Sequence, residues 1–234
     1  YILSVLIGGN MIPLKDNNPI RIFPSVTIVI IILNVAVFLF ELAQGQHLET
    51  FIKSFGCIPY ELKTGIDIEP RIFFPVRFTI LSAMFMHGGW MHIIGNMLYF
   101  WIFGNNIEDR LGHIRFLFFY IIVGIFATFS QIMVNPFSTV PQIGASGAVS
   151  GILGAYILLF PKAKVLTLIP IFYFIRIVTL PAFVVLGFWI IIQVISGFLS
   201  LSYTAQGGVA FFAHIGGFIS GLVLIYPFLI GRKE

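Results

Sequence analysis

Charge is scarce in this chain: 234 residues carry 13 Lys or Arg and 9 Asp or Glu, or 9%. A soluble domain of this length carries about 25% charged residues, so there is too little polar surface here to cover a globule in water. Cysteine is nearly absent. The single Cys57 excludes a secreted disulfide scaffold and leaves the redox compartment unreadable. Carboxylates are missing altogether between Asp109 and Glu234. What the chain does have is 59% apolar residues, 27 Phe and 23 Gly, with a mean hydropathy of +1.03. That composition excludes disorder and coiled coil, and it makes lipid the solvent for most of the molecule. The net charge of +4 then reflects the basic bias of cytoplasmic loops and not a nucleic-acid partner.

Six apolar stretches are long enough, or nearly so, to cross roughly 30 Å of hydrocarbon as helices. They lie near Val26–Leu42, His87–Phe103, Phe116–Met133, Ser146–Phe160, Leu180–Leu199 and Val209–Ile230. Runs without a period of two argue against a β-barrel. The expected fold is therefore all-α, a six-helix membrane bundle. The N-terminus, the second and fourth loops and the C-terminus hold Lys15, Arg21, Arg110, Arg115, Lys162, Lys164, Arg176, Arg232 and Lys233. The other side has only Lys53, Lys63, Arg71 and Arg77, interspersed with Glu49, Glu61, Asp67 and Glu69. Both termini are thus expected in the cytoplasm. The long first loop, about residues 44–78, mixes charges with Phe51, Phe55, Ile58, Phe73 and Phe74, which predicts a structure lying in the membrane interface. The Leu166–Val178 stretch is expected to behave likewise. Met11-Ile12-Pro13-Leu14-Lys15 looks like a natural initiator, so Tyr1–Asn10 is set apart as upstream residues. Residues 1–21 are then an N-terminal segment and 22–231 a single membrane domain.

Polar side chains at membrane depth are costly unless they are paired or functional. His92 and Asn96, four apart, share one helix face. Ser146 opens the fourth span within Gly144-Ala145-Ser146-Gly147, and His214 sits just inside the sixth. The fourth span, about 15 residues or roughly 22 Å, is short and starts below the membrane surface. His214, five residues after Val209, falls at a similar depth. Gly147, Gly151 and Ala155 on the fourth span, and Ala213, Gly217 and Gly221 on the sixth, form small-residue stripes that let the two backbones approach.

A serine hydroxyl becomes a competent nucleophile when a neutral imidazole takes its proton. With no carboxylate available in the spans, Ser146 and His214 would act as a dyad. Acyl transfer also needs oxyanion donors, and the Asn96 amide, the His92 imidazole and the backbone N–H of Ser146 at a helix N-terminus are the candidates. A transmembrane helix as substrate would have to unwind locally before its carbonyl is reachable.

These residues resemble the rhomboid intramembrane serine proteases of the compact six-helix type. Gly144–Gly147 matches the family's G-x-S-G, His92–Asn96 its H-x-x-x-N, and Ala213-His214-Ile215-Gly216-Gly217 its last-helix histidine. Glu108-Asp109-Arg110-Leu111-Gly112 resembles the turn after its second helix. The likeness runs from about Val26 to Ile230. It implies Ser146 as nucleophile, His214 as base, and His92 and Asn96 as oxyanion residues. It also implies a membrane-embedded first loop, substrate access near the fifth helix, and transmembrane-helix proteins in a lipid bilayer as substrates. No cofactor, metal or nucleic acid is implied. The implied setting is a prokaryotic cytoplasmic membrane, with the site toward the outer side. One departure is Ser150, where some members carry a tyrosine that stacks on the histidine.

Other readings stay open. H-E-x-x-H is absent, and His87 with His92 do not share a helix face, which disfavours a metalloprotease. A channel or transporter, or a rhomboid-like binder of membrane helices without activity, remains as an alternative. His87 reads as structural. Glu108 and Arg110 read as an ion pair or helix-capping turn, and Trp189 as a packing or lipid-facing residue.

Overall fold

The computed structural model describes residues 11–68, 74–171, 174–201 and 208–231. Tyr1–Asn10, Glu69, Arg71 and Phe73 of the first loop, and Arg232 and Lys233 lie outside them. The six expected spans are helices: α1 (Ser25–Ala43), α5 (Trp90–Leu111), α6 (His113–Val134), α7 (Ser146–Leu159), α8 (Ala182–Ser200) and α9 (Phe211–Leu229). The first loop holds the short α2 (Leu48–Phe55), α3 (Pro59–Thr64) and α4 (Thr79–Ser82). Four helices, α1, α6, α8 and α9, are long and apolar enough to cross a membrane. α5 has the length, but its last turns carry Asn105, Asn106, Glu108, Asp109 and Arg110. α7, with 14 residues, spans about 21 Å and so begins inside the bundle.

α1 shows why lipid is the solvent. Its buried face is Thr27, Ile30, Asn34, Phe38 and Glu41, whereas Val29, Ile32, Leu33, Leu39 and Phe40 face outward. Polar groups therefore turn inward and apolar ones outward, the reverse of a helix on a water-soluble core. The first N–H groups of α1 have no partner within their own helix, and the end of α5 supplies the acceptors. Val26 and Thr27 N–H donate to the Glu108 carboxylate at 2.9 and 2.7 Å, and Thr27 Oγ1–H donates at 2.7 Å. Arg21 and Ile22 N–H donate to Asp109 Oδ1. His113 Nδ1 lies 2.6 Å from Glu108 Oε1. The turn is thus a helix cap, and α5 continues to Leu111, two turns beyond the expected Phe103, to deliver it.

The helical bundle carries an element the sequence reading did not foresee. β1 (Ile12–Asp16), β2 (Lys164–Ile171) and β3 (Phe174–Pro181) form an antiparallel sheet in the order β1-β2-β3, with Lys164 paired to Pro181 and Ile12 to Leu168. The Leu166–Val178 stretch, expected as an amphipathic interfacial segment, is mostly this hairpin. Its six β-branched residues, against two leucines and two phenylalanines, favour a pleated strand over a helix. Asp16 fastens β1 to the bundle by accepting from Tyr156 Oη–H at 2.6 Å and Asn106 Nδ2–H at 2.8 Å.

α7 packs against α9 through glycine. A Cβ on Gly154, Gly217 or Gly221 would fall on the carbonyl oxygen of Phe218, Gly147 or Gly151 respectively. Gly154 is therefore a further point of close approach on α7 beyond the expected stripe. The first loop is stitched to the segment before α7: Cys57 and Gln142 exchange N–H···O bonds of 3.1 and 2.8 Å, and Phe51, Phe55, Phe74 and Phe78 make a chain of ring contacts.

Because the obstructing atoms are backbone, Gly221→Ala is expected to cost about 1–3 kcal/mol. A lowered thermal midpoint in detergent would register this, while Gly187→Ala, whose Cβ meets nothing within 4 Å, should leave the midpoint unchanged or raise it. Burial holds the Asp16 carboxyl above its ordinary 3.8, with the Tyr156 and Asn106 bonds opposing only part of that shift. The folded state thus keeps this proton to higher pH than the unfolded chain does. Its stabilising contribution is full below 3.8 and is lost as pH rises through the raised folded value. Across the weakly acidic range, the midpoint of the parent should fall relative to Asp16→Asn as pH increases.

Candidate active site

Ser146 is the first residue of α7, and Ala145 before it offers no side-chain cap for the first N–H groups of the helix. Gly144 makes the approach possible. Its φ of +124° is a conformation that favours glycine, and a Cβ there would lie 2.7 Å from His92 Nε2 and 3.6 Å from Ser146 Oγ. The serine oxygen and the His92 ring therefore flank the same backbone atom. The Gly144 N–H donates to Ala83 O at 2.8 Å, which pins this segment.

His92 stands in the first turn of α5. Gly88 N–H donates to its Nδ1 at 3.4 Å, so in the neutral ring the proton sits on Nε2, the nitrogen directed at Gly144. The ring meets that of His87 edge-on at 5.0 Å. His87 is itself buried, with its backbone N–H donating to the Glu41 carboxylate at 3.1 and 3.3 Å. One turn on from His92, Asn96 is buried and its Nδ2 has no acceptor among the described residues. A buried amide without a partner is a donor awaiting an acceptor.

His214 is 9% exposed in the first turn of α9. Gln131 caps that helix, its Oε1 accepting from Phe212 and Ala213 N–H at 3.0 and 3.2 Å. The His214 Nδ1 lies 2.7 Å from Gln193 Oε1 on α8, and the Trp189 ring stands beside the imidazole at 5.9 Å, inclined by 36°. No hydrogen bond joins Ser146 to His214 among the described residues. Their chain neighbours nevertheless meet: a Cβ on Gly147 would lie 3.9 Å from both Ala213 Cβ and Ala213 O. Among the described residues no three His, Cys, Asp or Glu side chains gather to hold a metal ion.

The Rhomboid domain family model matches residues 76–231, most of the chain and all four of these positions. The chain belongs to the rhomboid family. The chain is 29% identical over 164 residues to the chloroplastic Rhomboid-like protein 11 of Arabidopsis thaliana, covering 65% of this chain and 53% of that protein. It is 32% identical to the mitochondrial Rhomboid protein 1 of Saccharomyces cerevisiae over 38% of this chain and 27% of that one. With Rhomboid protease GluP of Bacillus subtilis it shares 36% identity over 32% of this chain and 14% of that protein. The chain thus spans about half the length of the first relative and less of the others.

As a multi-pass rhomboid it handles its histidine in its own way. Ser150, at the position where some members carry tyrosine, back-bonds to Ser146 O at 2.6 Å within α7, and the aromatic neighbour of His214 comes from Trp189 instead. Gln193, Gln131 and Glu41 were not singled out from the sequence. Gln193 had a readable signal, because it interrupts the apolar run Phe188–Ile195 at membrane depth. His113, at the start of α6, pairs with Glu108 and Ser25.

Proposed function

We propose that this protein is an intramembrane serine endopeptidase that hydrolyses peptide bonds in or near the transmembrane segments of other membrane proteins. One observation carries the reading: the Ser146 hydroxyl and the Nε2 edge of His92 flank Gly144 at the N-terminus of α7, and the Asn96 amide, one turn along α5 from His92, is buried without a partner among the described residues. Nucleophile and oxyanion donors on one spot are what acyl transfer needs.

In this mechanism Ser146 Oγ attacks the scissile carbonyl as His214 Nε2 takes its proton. The resulting oxyanion accepts hydrogen bonds from His92 Nε2–H, Asn96 Nδ2–H and the Ser146 N–H. His214 then returns its proton to the leaving amine, and the C–N bond breaks to leave an ester on Ser146. A water, deprotonated by His214, attacks that ester and releases the acid. With the two backbones already in contact, rotation of the Ser146 side chain brings the nucleophile to the base, in keeping with the tightening of catalytic hydrogen bonds on substrate binding. The lone observation on the side of a non-enzymatic binder of membrane helices is the missing Ser146–His214 bond.

The excess of Lys and Arg at the sheet end of the bundle supports cytoplasmic termini and a site opening to the opposite side.

A fluorophosphonate probe should label the detergent-purified protein, and Ser146→Ala should abolish both labelling and cleavage of a transmembrane reporter. Asn96→Ala should keep the fold while lowering turnover about 10²–10³-fold; a folded parent that neither labels nor cleaves would establish the binder. For orientation, Cys57 is buried and unsuitable. A cysteine at Glu49, whose side chain is 81% exposed, placed in a Cys57→Ser background, should react with an impermeant thiol reagent from the outer side alone.

A further inference from the structure

His214 must present a lone pair on Nε2 to act as base, yet the chain has no carboxylate between Asp109 and Glu234 to fix its ring. We propose that Gln193 is the positioning residue of the general base, its amide oxygen holding the His214 Nδ1–H so that Nε2 is free for Ser146. This rests on the protease reading above. An amide oxygen can only accept, so the 2.7 Å contact with Nδ1 selects the tautomer protonated at Nδ1. Trp189, one helical turn before Gln193 on the same face of α8, closes the second side of the ring at 5.9 Å. Two side chains from α8 thus fix the tautomer and the plane of a base that stands on α9.

The bond also serves the charged intermediate. When Nε2 takes the serine proton, the imidazolium keeps Nδ1–H on Gln193 Oε1, and the hydrogen bond becomes charge-assisted, which roughly doubles its strength. No proton passes to the amide. A glutamine does this without the desolvation cost that a buried carboxylate would carry before the reaction begins.

Nitrogen NMR of 15N-histidine-labelled protein in detergent, with His214 assigned by its loss in His214→Ala, reads the tautomer directly. The parent is expected to show neutral Nδ1–H at His214; an Nε2–H signal there would overturn the assignment without any variant. Gln193→Met, similar in size but lacking the acceptor, should mix the two tautomers. It should lower kcat about 10- to 100-fold with KM nearly unchanged, and lower the fluorophosphonate labelling rate by the same factor, since labelling needs the base but no substrate site. Labelling and kcat within about twofold of the parent in Gln193→Met, a change smaller than loss of an orienting bond allows, would also refute it. These outcomes are separable from the parent reading: cleavage that survives Ser146→Ala would sink the protease itself, whereas the tautomer at His214 is measured without reference to activity.

Discussion

Where α7 meets α9, carbonyl oxygens occupy the places that Cβ atoms would take. Gly154 on one helix, and Gly217 and Gly221 on the other, meet carbonyls directly, while Gly147 and Gly151 make room for Ala127 and Val123 of α6. Apolar side chains gain nothing by leaving lipid for one another, so van der Waals contact and shape hold this pair together. The separation it sets is inherited by the site. Ser146 adjoins the first α7 glycine and His214 lies one turn before Gly217, so neither position could be kept with a larger residue in the stripe.

A second constraint follows from the same solvent. A helix end within the bundle cannot turn to water for its unpaired amides, and in this chain side chains from other helices take that place. Glu108 and Asp109 receive the amides at the start of α1, Gln131 those of α9, and Glu41 the N–H of His87. The polar residues buried in this protein are thus mostly accounted for by main-chain groups. Among the described residues, buried side-chain atoms without a hydrogen-bond partner include Asn34 Oδ1, Tyr120 Oη and Gln142 Nε2 as well as the His87 ring nitrogens and Asn96 Nδ2, and of these His87 and Asn96 adjoin His92 at the site.

The six helices were legible from hydropathy because lipid demands long apolar runs, and the α7–α9 contact because small residues four apart leave a trace in the sequence. His92, Asn96, Ser146 and His214 were legible because a polar group in an apolar run is conspicuous. The sheet was not. Ile, Leu, Thr and Val between Lys164 and Pro181 are apolar in either conformation, and the partner strand β1 lies far away in the chain, where no local pattern announces it. Gln193 was missed for a different reason: its significance depends on which helix faces His214, and spacing along one helix says nothing about its rotation toward another. The depth of α5 beyond Phe103 was hidden because its last turns look like loop until their acceptors are matched with the start of α1.

The clasp between the end of α5 and the start of α1 is made almost wholly to peptide N–H groups, those of Arg21, Ile22, Val26 and Thr27. The side chains at the first three of these positions are therefore free to drift through evolution without loosening it. Proline alone is barred there, since it has no N–H to offer, so the constraint this junction places on the sequence is an exclusion and not a preference.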